Sequence, residues 1–138
     1  MNLFHLLFPE ETRTVPGNRW INISLRTLHL IGVAGIGGGF LYSAPQAAWL
    51  PFLRLTILSG VMLFVLGIYS HGIYLVQLRG LAVIVKILLM LALLFWGEHA
   101  GAILIAIIVL SGVFSHAPGD VRYFSIFHGR RLDSLKQR

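Results

Sequence analysis

The chain has no cysteine, and only 5 of its 138 residues are acidic. Without thiols it forms no disulfide, no iron–sulfur cluster and no thiolate metal site. Charged residues of both signs make up 12% of the sequence, where a soluble domain carries about a quarter. What fills the space is apolar: 57% of residues are hydrophobic and the mean hydropathy is +0.81. Such a chain cannot cover a water-soluble globule with ionised groups, so most of its length must face lipid. The length allows one domain, and no internal repeat is visible. The apolar start, Asn2 to Phe8, has no basic stretch before it and no small-residue cleavage site after it. It reads as a short segment lying on the membrane and stopped by Pro9, not as a cleaved leader.

Hydropathy divides the remainder into four spans, an all-α, four-helix membrane bundle. After the turn cluster Pro16-Gly17-Asn18, with Asn18 as a helix cap, the first span runs from about Trp20 to Tyr42 and ends at Ser43-Ala44-Pro45. A loop with Trp49 and Pro51 leads to a second span, about Leu55 to Leu78, and Arg79-Gly80 forms a tight connection. The apolar run from Leu81 to His116 would be ~54 Å long as one helix, too long for a hydrocarbon core of ~30 Å. Gly97-Glu98-His99-Ala100-Gly101 is its polar, glycine-flanked folding point. That gives short third and fourth spans of about 81–96 and 101–116. Residues 117–138 follow as a turn and a basic, aromatic tail.

The net charge of +6 lies at the ends of these segments, which points to membrane orientation and away from nucleic acid. Nine basic residues (Arg13, Arg19, Arg26, Arg79, Arg122, Arg130, Arg131, Lys136, Arg138) fall on one side and Arg54 alone on the other. That bias predicts both termini in the cytoplasm of a bacterial-type inner membrane.

Ionisable groups inside a bilayer are costly, ~2.5–3.5 kcal/mol each at the centre on insertion scales, so each calls for a reason. His29 is expected about one turn inside span one, His71 ~10–12 Å deep in span two and Lys86 ~8 Å into span three. His116 closes span four. Each span thus offers one nitrogen base to the cytoplasmic half. Imidazoles from facing helices can ligate haem iron, copper or zinc, with His71 and His29 the first choices. Lys86 could pair with a haem propionate or serve as a ligand. The alternatives are ordinary: Lys86 snorkelling to headgroups, His29 bonding a neighbouring helix, His116 as a boundary residue. Glu98 and His99 read as a solvated turn.

The glycines Gly32, Gly35, Gly37, Gly38 and Gly39 do not make a nucleotide loop, because position six of the pattern is Phe40 and no strand precedes it. Gly35-x-x-x-Gly39 is a packing notch, and Gly60, Gly67 and Gly112 offer others. The tail from Arg122-Tyr123 to Arg130-Arg131 suits an interface with anionic lipid.

Three stretches, "RTLHLIGVAGIGGGF", "LTILSGVMLFVLGIY" and "LRGLAVIVKILLMLALL", resemble the small four-helix membrane proteins of the copper-resistance protein D and HemJ-type protoporphyrinogen oxidase kind. The resemblance covers about residues 25–97 and implies haem b or copper handling, with His29 and Lys86 the matching positions. The leading expectation is a membrane protein binding haem b or a metal between its helices. The alternative is a non-catalytic subunit or assembly factor, contacting other membrane subunits or its own copies. A transporter is the weakest reading, since no carboxylate lies within a span.

Overall fold

The structure, a computed structural model, describes residues 13–132; the expected interfacial segment before Pro9 and the last residues of the tail lie outside these. The chain is mostly helical. Its elements are α1 (Asn18–Leu41), α2 (Gln46–Ser70), a 3₁₀ turn (Gly72–Val76), α3 (Leu78–Ala92), a second 3₁₀ turn (Gly97–His99), α4 (Ala100–His116), a short α5 (Gly119–Arg122), and a hairpin of β1 (Phe124–Ser125) and β2 (Arg130–Arg131). Three helical stretches, α1, α2 and Gly97–His116, are long and apolar enough to cross a membrane. At 15 residues α3 is ~22 Å long, shorter than a hydrocarbon core. Large apolar side chains point outward from the helices, including Leu30 (67% exposed), Leu58 (61%), Leu88 (60%) and Ile105 (63%). That outer surface is compatible with lipid contact and unsuited to water.

The closest pairing joins α1 to α2 as antiparallel neighbours, and glycines allow it. A Cβ on Gly39 would fall 2.6 Å from Trp49, one on Gly35 2.1 Å from the Phe52 ring, and one on Gly32 2.1 Å from Thr56 Oγ1. Continuing down the pair, His29 meets Ser59 and Gly60. Ile36 and Leu53, both fully buried, fill the positions between. Small residues on one helix receive large ones from the other, the arrangement that brings backbones together where no hydrophobic force favours helix association over lipid. The buried core then extends through Met90 and Leu93 to Ala100, Leu104 and Ile107 of α4.

Two boundaries of the second span differ from the sequence expectation. Its helix starts at Gln46, not Leu55, with Pro51 inside it. Trp49 is buried against Gly39 and stacks edge-on with Phe40 at 5.3 Å, and this packing holds the first turns helical despite the missing proline N–H. The helix also stops at Ser70, not Leu78. His71 leaves helical geometry (φ −147°, ψ 88°), and the apolar 3₁₀ turn folds back so that Tyr74 packs on Gly67 and Phe64. Gln77 then starts α3 from an extended conformation. Gly80, expected in a connection, lies in the first turn of α3, where a Cβ would be 2.0 Å from the Tyr74 carbonyl oxygen. Nor does Asn18 cap α1: the cap is Gly17 at φ 73° with no side-chain bond.

The tail is folded rather than extended. Phe124 pairs with Arg131 and Ser125 with Arg130, and Gly129 turns the chain at φ 61°. Among the described residues this small sheet is the one departure from an all-α fold. Buried Gln77 holds it down: Nε2 donates to the Leu132 carbonyl at 2.6 Å, while Oε1 accepts from Arg79 Nε at 2.7 Å. The Arg13 N–H donates to the Ser70 carbonyl. The entry to α1, the α2–α3 connection and the hairpin therefore share one end of the molecule.

Gly32→Ala, which forces a methyl against the backbone of α2, should cost about 1–3 kcal/mol as overpacking. Gly38→Ala, with nothing within 4 Å, should leave thermal stability in detergent unchanged. Equal melting of the two variants would contradict this interface. Gln77→Leu strips Leu132 and Arg79 of their partner, so trypsin should cut after Arg130 and Arg131 faster while the helices persist.

Candidate functional site

Polar groups inside the bundle gather around His29. The helical repeat places His29, Gly32, Ile36 and Gly39 on one face of α1, and α2 answers with Ser59, Thr56, Leu53 and Trp49. Thr56 and Ser59 are 1% and 2% exposed. Their hydroxyls donate back to carbonyls one turn earlier, Thr56 to Phe52 at 2.8 Å and Ser59 to Leu55 at 2.7 Å. This back-bonding leaves their oxygens as acceptors toward α1.

The ring of His29 bridges the two helices. Its Nδ1 lies 3.0 Å from the Thr56 carbonyl oxygen and 3.1 Å from Ser59 Oγ. A carbonyl oxygen only accepts, so Nδ1 must carry a proton and donate. In the neutral ring that fixes the tautomer, and Nε2 presents a lone pair. Gly60 borders the ring at Cε1, where a Cβ would stand 3.1 Å away. The imidazole is thus oriented by backbone, as ligating histidines commonly are. Thr56 and Ser59 were not singled out from the sequence. Their three-residue spacing on α2, matching the spacing of His29 and Gly32, is the signal that could have identified them.

Lys86 stands at the middle of α3, half-buried. Among the described residues it has neither an ion-pair nor a hydrogen-bond partner. His29 itself is mid-helix, because α1 begins at Asn18, two turns ahead of the purely apolar stretch. Each of the two residues therefore lies at the middle of its own helix rather than at an end.

The structure does not bring the other two bases to this pair. His71 is the exposed residue where α2 ends, about 18 Å along that helix from Ser59 at 1.5 Å per residue. Its partial burial there, then the nearby Arg79 charge, hold its proton affinity below the ordinary histidine value. His116 is exposed at the end of α4. Glu98 and His99 lie in the exposed 3₁₀ turn at the opposite end from the hairpin. Among the described residues no group of three or more His, Asp or Glu side chains converges as a metal cage.

A metal held by protein alone commonly takes three or four donors, whereas haem brings four nitrogens of its own and takes one or two side chains; the geometry at His29 offers one oriented imidazole. In the comparisons with known proteins, no family model, no curated protein and no solved structure matches this chain.

Proposed function

We propose that the chain is an integral membrane protein that binds haem b between its helices, where His29 Nε2 would ligate the iron and Lys86 would pair with a carboxylate of the haem or serve as a further ligand. The observation that carries this reading is the Nδ1 contact of His29 with the Thr56 carbonyl, which turns the other nitrogen into a fixed Lewis base. The half-buried Lys86 adds a cation in need of a carboxylate, and α1 to α4 provide none. When bound, haem would supply one-electron chemistry at iron. The residues of this chain would supply ligation, orientation and a dry setting. In this reading α1, α2, α3 and α4 make four crossings with both termini in the cytoplasm. The shared end of the Arg13 segment, the α2–α3 connection and the hairpin supports an even number of crossings, and the nine-to-one bias of basic residues supports the orientation.

A second reading rests on a separate observation. Among the described residues Gly37, Gly38 and Gly112 meet at most a distant leucine methyl, so these small-residue positions would leave room for helices of a larger membrane complex. Copurification in mild detergent tests it, and a chain that runs alone and monodisperse would count against it.

The purified protein should show a Soret band with stoichiometric iron. His29→Ala should abolish the band, whereas His71→Ala and His116→Ala should leave it intact. Ser59→Ala, which removes one of the acceptors holding the ring, should weaken haem retention about tenfold. Absence of a Soret band, or a band indifferent to His29→Ala, would sink the haem reading. The topology can be tested directly, because the chain contains no cysteine. Single cysteines at Ser43 and Glu98 should label from the outer face and one at Gly129 from the inner face; labelling of Glu98 and Gly129 positions from the same side would rule out four crossings.

A further inference from the structure

Three guanidinium groups surround one aromatic ring at the hairpin end of the bundle. The guanidinium carbons of Arg79, Arg131 and Arg122 stand 4.8, 5.5 and 5.6 Å from the centroid of Tyr123. Arg131 is paired with Asp120. The other two have donors to spare. Arg79 uses Nε on Gln77, and its two Nη groups meet no acceptor among the described residues. Arg122 Nε is buried and has no hydrogen-bond partner among the described residues.

Like charges drawn to one ring, with a buried N–H left unmet, form a site for an anion. The planar guanidinium forks select for phosphate or carboxylate oxygens, which accept two parallel hydrogen bonds. The surroundings decide the source. Ile126 and Phe127, on the turn of the same hairpin, are 61% and 71% exposed. Large apolar side chains projecting beside a basic cluster, at the end of membrane-length helices, are the features of a surface that dips into the headgroup layer. We propose that Arg79 and Arg122 clasp the phosphate of an anionic phospholipid, and that this lipid locks the C-terminal hairpin onto the α2–α3 connection. The lipid phosphate meets the spare donors of both arginines at once, one from α3 and one from α5. It thereby ties together the two elements that Gln77 also joins.

The test uses the full-length protein in mild detergent with phosphatidylglycerol or phosphatidylcholine added. Native mass spectrometry reads bound lipid, and trypsin cleavage after Arg130 and Arg131 reads hairpin docking. Phosphatidylglycerol should be retained and should slow cleavage; phosphatidylcholine should do neither, and rising salt should weaken the effect. Arg122→Gln and Arg79→Gln should each lower retention of phosphatidylglycerol about fivefold, while Arg54→Gln, in the half of α2 away from the hairpin, should not. Equal protection by both lipids would overturn the proposal, as would unchanged retention in the Arg122 variant. Protection by inorganic phosphate alone would also overturn it, by making the ligand a free anion. If either arginine variant fails to fold, the lipid dependence of cleavage in the unaltered protein still decides.

Discussion

The close approach of α1 and α2 is the constraint on which the rest of the molecule depends. In lipid, apolar side chains gain nothing by leaving the solvent for one another, so association must come from contact density and from polar groups that find partners. The ladder Gly39–Trp49, Gly35–Phe52 and Gly32–Thr56 supplies the first, and its continuation at His29 supplies the second. The two are coupled. Only because the glycines bring the backbones together can the imidazole reach a carbonyl of the opposite helix at 3.0 Å. A bulkier residue at Gly32 would push α2 away, and the orientation of His29 would be lost along with the packing.

The same economy governs the end of the bundle. A chain with so few polar residues has few ways to hold a tail, and it uses one amide for the purpose. Gln77 is 1% exposed, and both ends of its side chain are used, the nitrogen on the hairpin and the oxygen on Arg79. A buried amide with both groups satisfied specifies one arrangement, because any shift of the hairpin leaves a donor or an acceptor unmet. The fold-back of the 3₁₀ turn makes this possible by bringing Gln77 to the start of α3 while Gly80 admits the Tyr74 carbonyl.

Much of the helical framework was legible from hydropathy, and the reasons for the failures are specific. The first helix, the turn at Gly97–His99 and the fourth helix follow from apolar runs bounded by glycine, proline and charge. The expected packing role of the glycines in α1 also appears, at Gly32, Gly35 and Gly39. The bounds of α2 were not legible. Trp49 and Pro51 resemble a loop until Trp49 has Gly39 to pack on, and Gly72-Ile73-Tyr74-Leu75-Val76 is as apolar as a helix although it is a turn. With the helix ending at Ser70, His71 stands at its end rather than seven residues inside the expected second span. The contact between Gln77 and Leu132 spans 55 positions, so no local pattern announces it. Of the bases singled out, His29 is held against the opposite helix and Lys86 is half-buried in α3; the acceptors that orient His29 show in the sequence only through their three-residue spacing, because Thr56 and Ser59 otherwise look like any small polar residues in a membrane helix.

The scarcity of acidic residues now has a structural meaning. Within residues 13–132 the carboxylates are Glu98 and Asp120, one in an exposed turn and the other already engaged with Arg131. Lys86 and the Arg79–Arg122 pair are therefore cations that the described chain leaves without a counter-charge, one at the middle of the bundle and one at its end. Desolvation makes an unmatched charge costlier the deeper it lies, so each position favours an anion brought from outside. At the bundle's end a membrane offers phosphate in abundance. Under the function proposed above, the anion at the middle would arrive on an apolar body, and a porphyrin carrying carboxylates on a flat hydrophobic ring has that combination of properties.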